Sequence, residues 1–205
     1  MIRSRPQGTV MSSAGNRGVL VVAAALALSG CIDNRMTLHS QMAAGAAAAP
    51  AGSKVVLREP SCEIQLIGIA DHRPNAGEIP NTHGHYMHFD DMTGWLQAGL
   101  TSLVADGIAI RPKSSGELPR DKPRIDVELL KAYMQFIETS KSANVVVKVT
   151  FERPNEDPVV RLYRGRDTGV NWLHATAELS AAFDAALRDA LQRMTPDLKG
   201  LCKSS

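Results

Sequence analysis

The sequence predicts an α+β domain: a two-layer sandwich with two helices over one face of a mostly antiparallel sheet that contains a β-meander. Three observations predict it. Strand-like runs rich in β-branched residues follow one another between residues 124 and 166, separated by turn residues. Two stretches, Met92–Asp106 and Thr176–Met194, repeat apolar residues every three or four positions. A domain of about 150 residues follows an N-terminal tract. At that size it can bury roughly 68–70% of its unfolded surface and needs no metal or disulfide to fold.

Each element has its own reason. Lys54–Arg58 (KVVLR) is a short strand candidate. Glu63–Ala70 (EIQLIGIA) carries apolar residues on both faces, as an inner strand does. Pro74, Asn75, Gly77 and Pro80 then open a long loop. Asp90 or Asp91 caps a helix over Met92–Asp106, whose stripe is Met92, Trp95, Leu96, Leu100, Leu103 and Val104. Gly107 supplies its left-handed end. Ile108–Arg111 is a short strand stopped by Pro112, and residues 112–123 form a Ser-, Gly- and Pro-rich loop.

The meander comes next. Arg124–Thr139 is a less regular run with Ile125, Val127, Leu129, Tyr133 and Phe136, turning at Ser140–Ser142. Asn144–Arg153 is a strand by its β-branched content, and Val159–Arg166 returns after the Pro154–Pro158 connection. The last helix, Thr176–Met194, aligns Leu179, Ala182, Phe183, Ala186, Leu187, Ala190, Leu191 and Met194, with Pro196 placed beyond its end. Trp95 takes a core position in the first helix. Trp172, at the approach to the last helix, is expected to pack there, with exposure at a partner surface as the alternative.

The N-terminus reads as an address. Residues 1–30 hold Arg3, Arg5 and Arg17 and no acid, followed by the apolar run Val19–Leu28. That run is too short to span about 30 Å of hydrocarbon and fits a secretory signal, with Met1 or Met11 as its start. Leu28-Ser29-Gly30-Cys31 resembles the lipobox of bacterial lipoproteins. The resemblance implies cleavage before Cys31 and a covalent lipid on its thiol. It also implies outer-membrane anchoring, because Ile32 rather than Asp follows the cysteine, with the domain facing the periplasm. Residues 31–53, Ala-rich and interrupted by Gly45 and Pro50, read as the tether. The single folded domain is then 54–205.

Charge and motifs exclude several function classes. A net charge of +2, falling to −1 once residues 1–30 are removed, gives no basic footprint for nucleic acid. No P-loop, G-x-S-x-G, C-x-x-C or H-E-x-x-H occurs, so no catalytic residues are assigned and no small-molecule substrate is implied. The densest polar cluster is the 82–91 segment. There His83, His85 and His88, with Asp90 or His72, have the count of a zinc or copper site; a solvated loop is the competing reading. With Cys31 lipidated, Cys62 and Cys202 remain as a pair in an oxidising compartment and are expected to form a disulfide.

The order of elements, with Asp71-His72-Arg73 ending a strand and Tyr163-Arg164-Gly165 in the meander, resembles the YajG-type periplasmic lipoproteins. More loosely, it is similar to auxiliary lipoproteins of ABC-type lipid transporters and of envelope-assembly machines. The resemblance implies a non-catalytic role in the cell envelope through protein or lipid contacts, with no other cofactor and no shared active-site residues. The Asp71–Arg73 pair is expected as a turn cap or surface ion pair.

Overall fold

A computed structural model of the chain describes residues 36–38, 42, 62–75, 77–81, 86–89, 91–112, 122–170 and 176–203. The expected signal, Cys31, the 54–58 run, His83, His85, Asp90 and Trp172 lie outside the described residues. In chain order the strands before the first helix are β1 (Met36–Leu38), β2 (Cys62–Asp71), β3 (Glu78–Pro80) and β4 (Tyr86–Phe89). Helix α1 (Met92–Ser102) follows, then β5 (Ile108–Pro112), β6 (Arg124–Ile137), β7 (Ser140–Glu152), β8 (Val159–Val170) and helix α2 (Thr176–Lys203). The architecture is α+β.

The main sheet runs β5-β2-β6-β7-β8. The β6–β7–β8 meander is antiparallel, whereas β2 is parallel to both β5 and β6. The sheet is therefore more mixed than its sequence suggests. Parallel partners need a long connection, and the span holding β3, β4 and α1 provides one between β2 and β5. Strand β6 has a bulge between Leu129 and Lys131. The extra residue resets the alternation, so one continuous strand reads as an irregular run.

Helix α2 forms the second layer. Leu179, Phe183, Ala186, Leu187, Ala190, Leu191 and Met194 are buried on it, against Ala143, Val145, Val147 and Val149 of β7. Each large side chain so buried contributes about 1.5–3 kcal/mol. The closest approach is at β8, where a Cβ added to Gly165 would lie 1.8 Å from the Ala186 carbonyl oxygen. Pro196 lies inside α2 rather than beyond it. The proline forgoes one backbone bond, but Leu198 and Leu201 beyond it are buried, so continuing the helix gains more than ending it.

Asp91 caps α1, its carboxylate accepting the Gly94 N–H at 2.7 Å. The helix then tightens into a 3₁₀ turn over Leu103–Asp106 and ends at Gly107, whose φ of 78° suits glycine. Trp95 is buried as expected. Its indole N–H donates to Asp184 of α2 at 2.7 Å, and its ring meets Phe89 with centroids 5.3 Å apart.

A second, three-stranded sheet has the order β1-β4-β3. This corrects the tether boundaries. Leu38, inside the span assigned to the tether, is fully buried; β1 pairs in parallel with β4 and contacts α2. Met42 also packs against the core. The short MTL run carries one core leucine in a polar context, too little periodicity to be read as a strand.

Gly165 separates steric from propensity effects. Gly165→Ala should lower stability in urea unfolding by at least about 2 kcal/mol, because the opposing atoms are helix backbone. Gly169→Ala on the same strand has nothing within 4 Å and should stay within about 0.5 kcal/mol of the parent. Equal losses at both positions would contradict this packing.

Candidate functional site

The helices leave one face of the main sheet uncovered. Strand alternation places Arg124, Asp126 and Glu128 of β6 on that face, and after the bulge Lys131, Tyr133, Gln135 and Ile137. Their β7 partners are Glu152, Thr150 and Lys148, then Val146, Asn144, Ser142 and Ser140. From β8 come Val160, Leu162, Arg164, Arg166, Thr168 and Val170. This is the candidate contact surface.

Its two halves differ in charge. In the half near Arg124 two acids are paired with cations: Glu152 with Arg124 at 2.9 Å and Glu128 with Lys148 at 2.8 Å. The His72 imidazole reaches the same Glu128 at 2.8 Å. The Lys148 hydrogen bond, then the His72 contact, hold the Glu128 carboxyl below its ordinary range despite some desolvation. The other half, from the Lys131–Val146–Arg164 row to the Ile137–Ser140–Val170 row, carries Lys131, Arg164 and Arg166 and no acid. Arg166 donates to the Ser142 hydroxyl at 2.8 Å, and its backbone N–H is taken by Asp189 of α2.

The β8 edge is partly guarded. Asp189 occupies one outward N–H, and Asp197 of α2 binds both Arg161 and the Tyr163 hydroxyl, the latter at 2.6 Å. Burial, then the Asp197 contact, push the Tyr163 hydroxyl well above its usual range, so it stays a donor. An edge strand held by side chains from its own helix is less open to pairing with another chain.

The Asp71–Arg73 pair caps its turn, the Asp71 carboxylate accepting the Arg73 backbone N–H at 3.2 Å, and is not a surface ion pair. The Arg73 side chain is only 4% exposed and forks onto Asp71, with N–O distances of 2.8 and 2.7 Å. Its third nitrogen donates to the Glu78 carbonyl at 2.8 Å, which ties the end of β2 to β3. Burial alone would raise the Asp71 carboxyl, but the Arg73 hydrogen bonds and charge outweigh it, and the group sits below its ordinary 3.8.

Of the expected metal ligands, His72 and His88 are described. His72 is engaged with Glu128, and His88 is exposed on β4. Among the described residues, no group of three or more His, Cys, Asp or Glu is arranged to hold a metal ion. Cys62 and Cys202 are joined as a disulfide, with Cα atoms 5.6 Å apart and 140 residues between them in sequence. It links the start of β2 to the end of α2.

Sequence reading did not single out Lys131, Lys148, Glu128 or Arg166. The available signal was polar alternation along β6 and β8. The β6 bulge hid half of it by switching the parity of the exposed positions.

Three stability outcomes follow. Arg73→Ala should cost about 3 kcal/mol, because it strands a half-buried carboxylate. The Asp71 contribution is fully present above pH 3.8, its unfolded value, and is lost as pH falls through the lower native value. Asp71→Asn should therefore flatten the acid limb of the stability curve, and an unchanged limb would contradict the assignment. Reducing the disulfide should lower stability by up to about 5 kcal/mol, given the length of chain it closes. Alkylation of both thiols in native, unreduced protein would contradict the pairing.

No protein-family model and no curated protein matches this sequence. The fold does match solved structures. Protein XCC0632 from Xanthomonas campestris, assigned to family model DUF330, is similar with a TM-score of 0.51 and 15% identity, over 83% of this chain and 96% of that one. A minor lipoprotein from Acinetobacter baumannii gives 0.44 and 14%, over 70% and 93%. Lipoprotein GNA1162 from Neisseria meningitidis gives 0.35 and 9%, over 68% and 99%. At these identities, the likeness to XCC0632 establishes a shared fold.

Proposed function

We propose that this chain is an outer-membrane lipoprotein, anchored through a lipid on Cys31, whose domain faces the periplasm and has a non-catalytic binding or scaffolding role in the cell envelope. The observation that carries this reading is the Leu28-Ser29-Gly30-Cys31 lipobox, set only five residues ahead of β1. Acyl chains on one cysteine contribute about 0.8 kcal/mol per buried CH₂, so a multiply acylated Cys31 stays in the bilayer. Among the described residues no helix is long and apolar enough to cross a membrane.

The uncovered sheet face supports the binding role. It presents Tyr133, Ile137, Leu162 and Val170 among charged side chains, the composition of a contact surface. The YajG-type resemblance supports the same role, with an envelope protein as partner.

Cys31→Ser is the test. The parent should fractionate with the outer membrane as a processed form. The variant should migrate as an uncleaved precursor and leave that fraction. Unchanged mobility and location would contradict the anchor. Cross-linking of the parent in cells should capture a discrete envelope protein, and a capture with no envelope component enriched would contradict the scaffolding role.

A further inference from the structure

The place where the chain enters the fold says which end meets the membrane. Cys31 precedes Met36 by five residues, a span of at most about 18 Å fully extended. β1 belongs to the small sheet, and that sheet adjoins the second half of β6: Asn81, next to β3, bridges Met134 in parallel. Met36, where β1 begins, therefore lies towards the end of the domain where β6 turns into β7, opposite the disulfide and the Pro154–Asn155 turn.

That same end carries the half of the uncovered face whose strand positions hold no acid, with exposed Glu138 in the β6–β7 turn just beyond it. Lys131 and Arg164 flank Val146 two strand spacings apart, about 10 Å. Arg166 lies one row further, across from Asn144, with Tyr133 on the far side of that strand. The last row ends in Ile137 and Val170, which are 52% and 50% exposed. Among the described residues neither Lys131 nor Arg164 makes an ion pair, whereas Arg124 and Lys148 in the other half are both paired. Unpaired cations behind exposed apolar tips suit phosphate headgroups over a hydrocarbon edge.

From this we propose that the Lys131–Val170 end of the uncovered sheet face rests on an anionic bilayer surface, with Lys131, Arg164 and Arg166 on lipid phosphates and Ile137 and Val170 at the interface. The proposal rests on the lipid-anchor reading. The anchor brings the face to the membrane, and the cations orient the domain upon it. Because the attraction is between exposed charges, it weakens once salt shortens the Debye length.

The test uses the full chain, matured in cells and purified from membranes, with intact mass reporting the lipid. A bimane label is placed at Ile137→Cys, at Val170→Cys or, on the opposite end, at Asp157→Cys. Each protein is reconstituted into vesicles of phosphatidylcholine alone or with phosphatidylglycerol, both containing a nitroxide lipid. Labels at 137 and 170 should be quenched in the anionic vesicles and the label at 157 should not. Quenching should be lost in high salt, in phosphatidylcholine alone, and in a Lys131→Glu/Arg164→Glu variant whose unfolding midpoint matches the parent. Protein without lipid by mass fails the anchor reading and takes the proposal with it. Lipidated protein whose three labels quench alike, or whose quenching ignores lipid charge, overturns the proposal alone. Shielding of 137 and 170 only in membranes that keep their proteins assigns the face to a protein partner and also overturns it.

Discussion

The rest of the structure depends on how closely α2 lies on the meander. Gly165 leaves no side chain between β8 and the helix backbone at Ala186, and the alanines at 182, 186 and 190 keep the helix surface low along that line. A close helix brings Phe183, Leu187 and Leu191 into the sheet core. It also brings Asp184 to the Trp95 indole, which positions α1. Asp189 and Asp197, on the flank of the same helix, reach the β8 edge. One small residue thus sets the spacing on which the core, the helix pair and the guarded edge all rely.

The two ends of the sandwich are held by different chemistry. At one end the Cys62–Cys202 bridge and the Arg153 contact to the Gly200 carbonyl fix the tail of α2. At the other, the buried Asp71–Arg73 fork joins the main sheet to the small sheet through Glu78, and Lys141, buried, pairs with Glu178 at the start of α2. The chain enters at this second end through β1. The charge pattern of the open face follows the same axis, with the Arg124–Glu152 and Lys148–Glu128 pairs towards the disulfide and Lys131, Arg164 and Arg166 towards the entry point.

Much of this was legible in the residues. The helical stripes located both helices, Gly107 and Asp91 marked the limits of the first, and β-branched content located β7. What stayed hidden has physical causes. A parallel β2 cannot be told from an antiparallel one by its side chains, because burial on both faces gives the same pattern. The bulge at Leu129 broke the alternation of β6 and concealed which of its polar residues share a face. Pro196 is a local stop signal overridden by the burial of Leu198 and Leu201. β1 is three residues long, so its membership of the core depends on tertiary pairing with β4. The Asp71–Arg73 spacing was visible, but not its burial, which comes from β3 folding back over it.

The observations describe a small sandwich with an uncovered face available for contacts, and the proposed anchor would hold it near a bilayer through Cys31. The intact mass of the protein extracted from membranes tests that description most directly. The account predicts a polypeptide beginning at Cys31, heavier than its sequence by a diacylglyceryl group and an amide-linked acyl chain. A polypeptide cleaved elsewhere, or one beginning at Cys31 with no added mass, would contradict it.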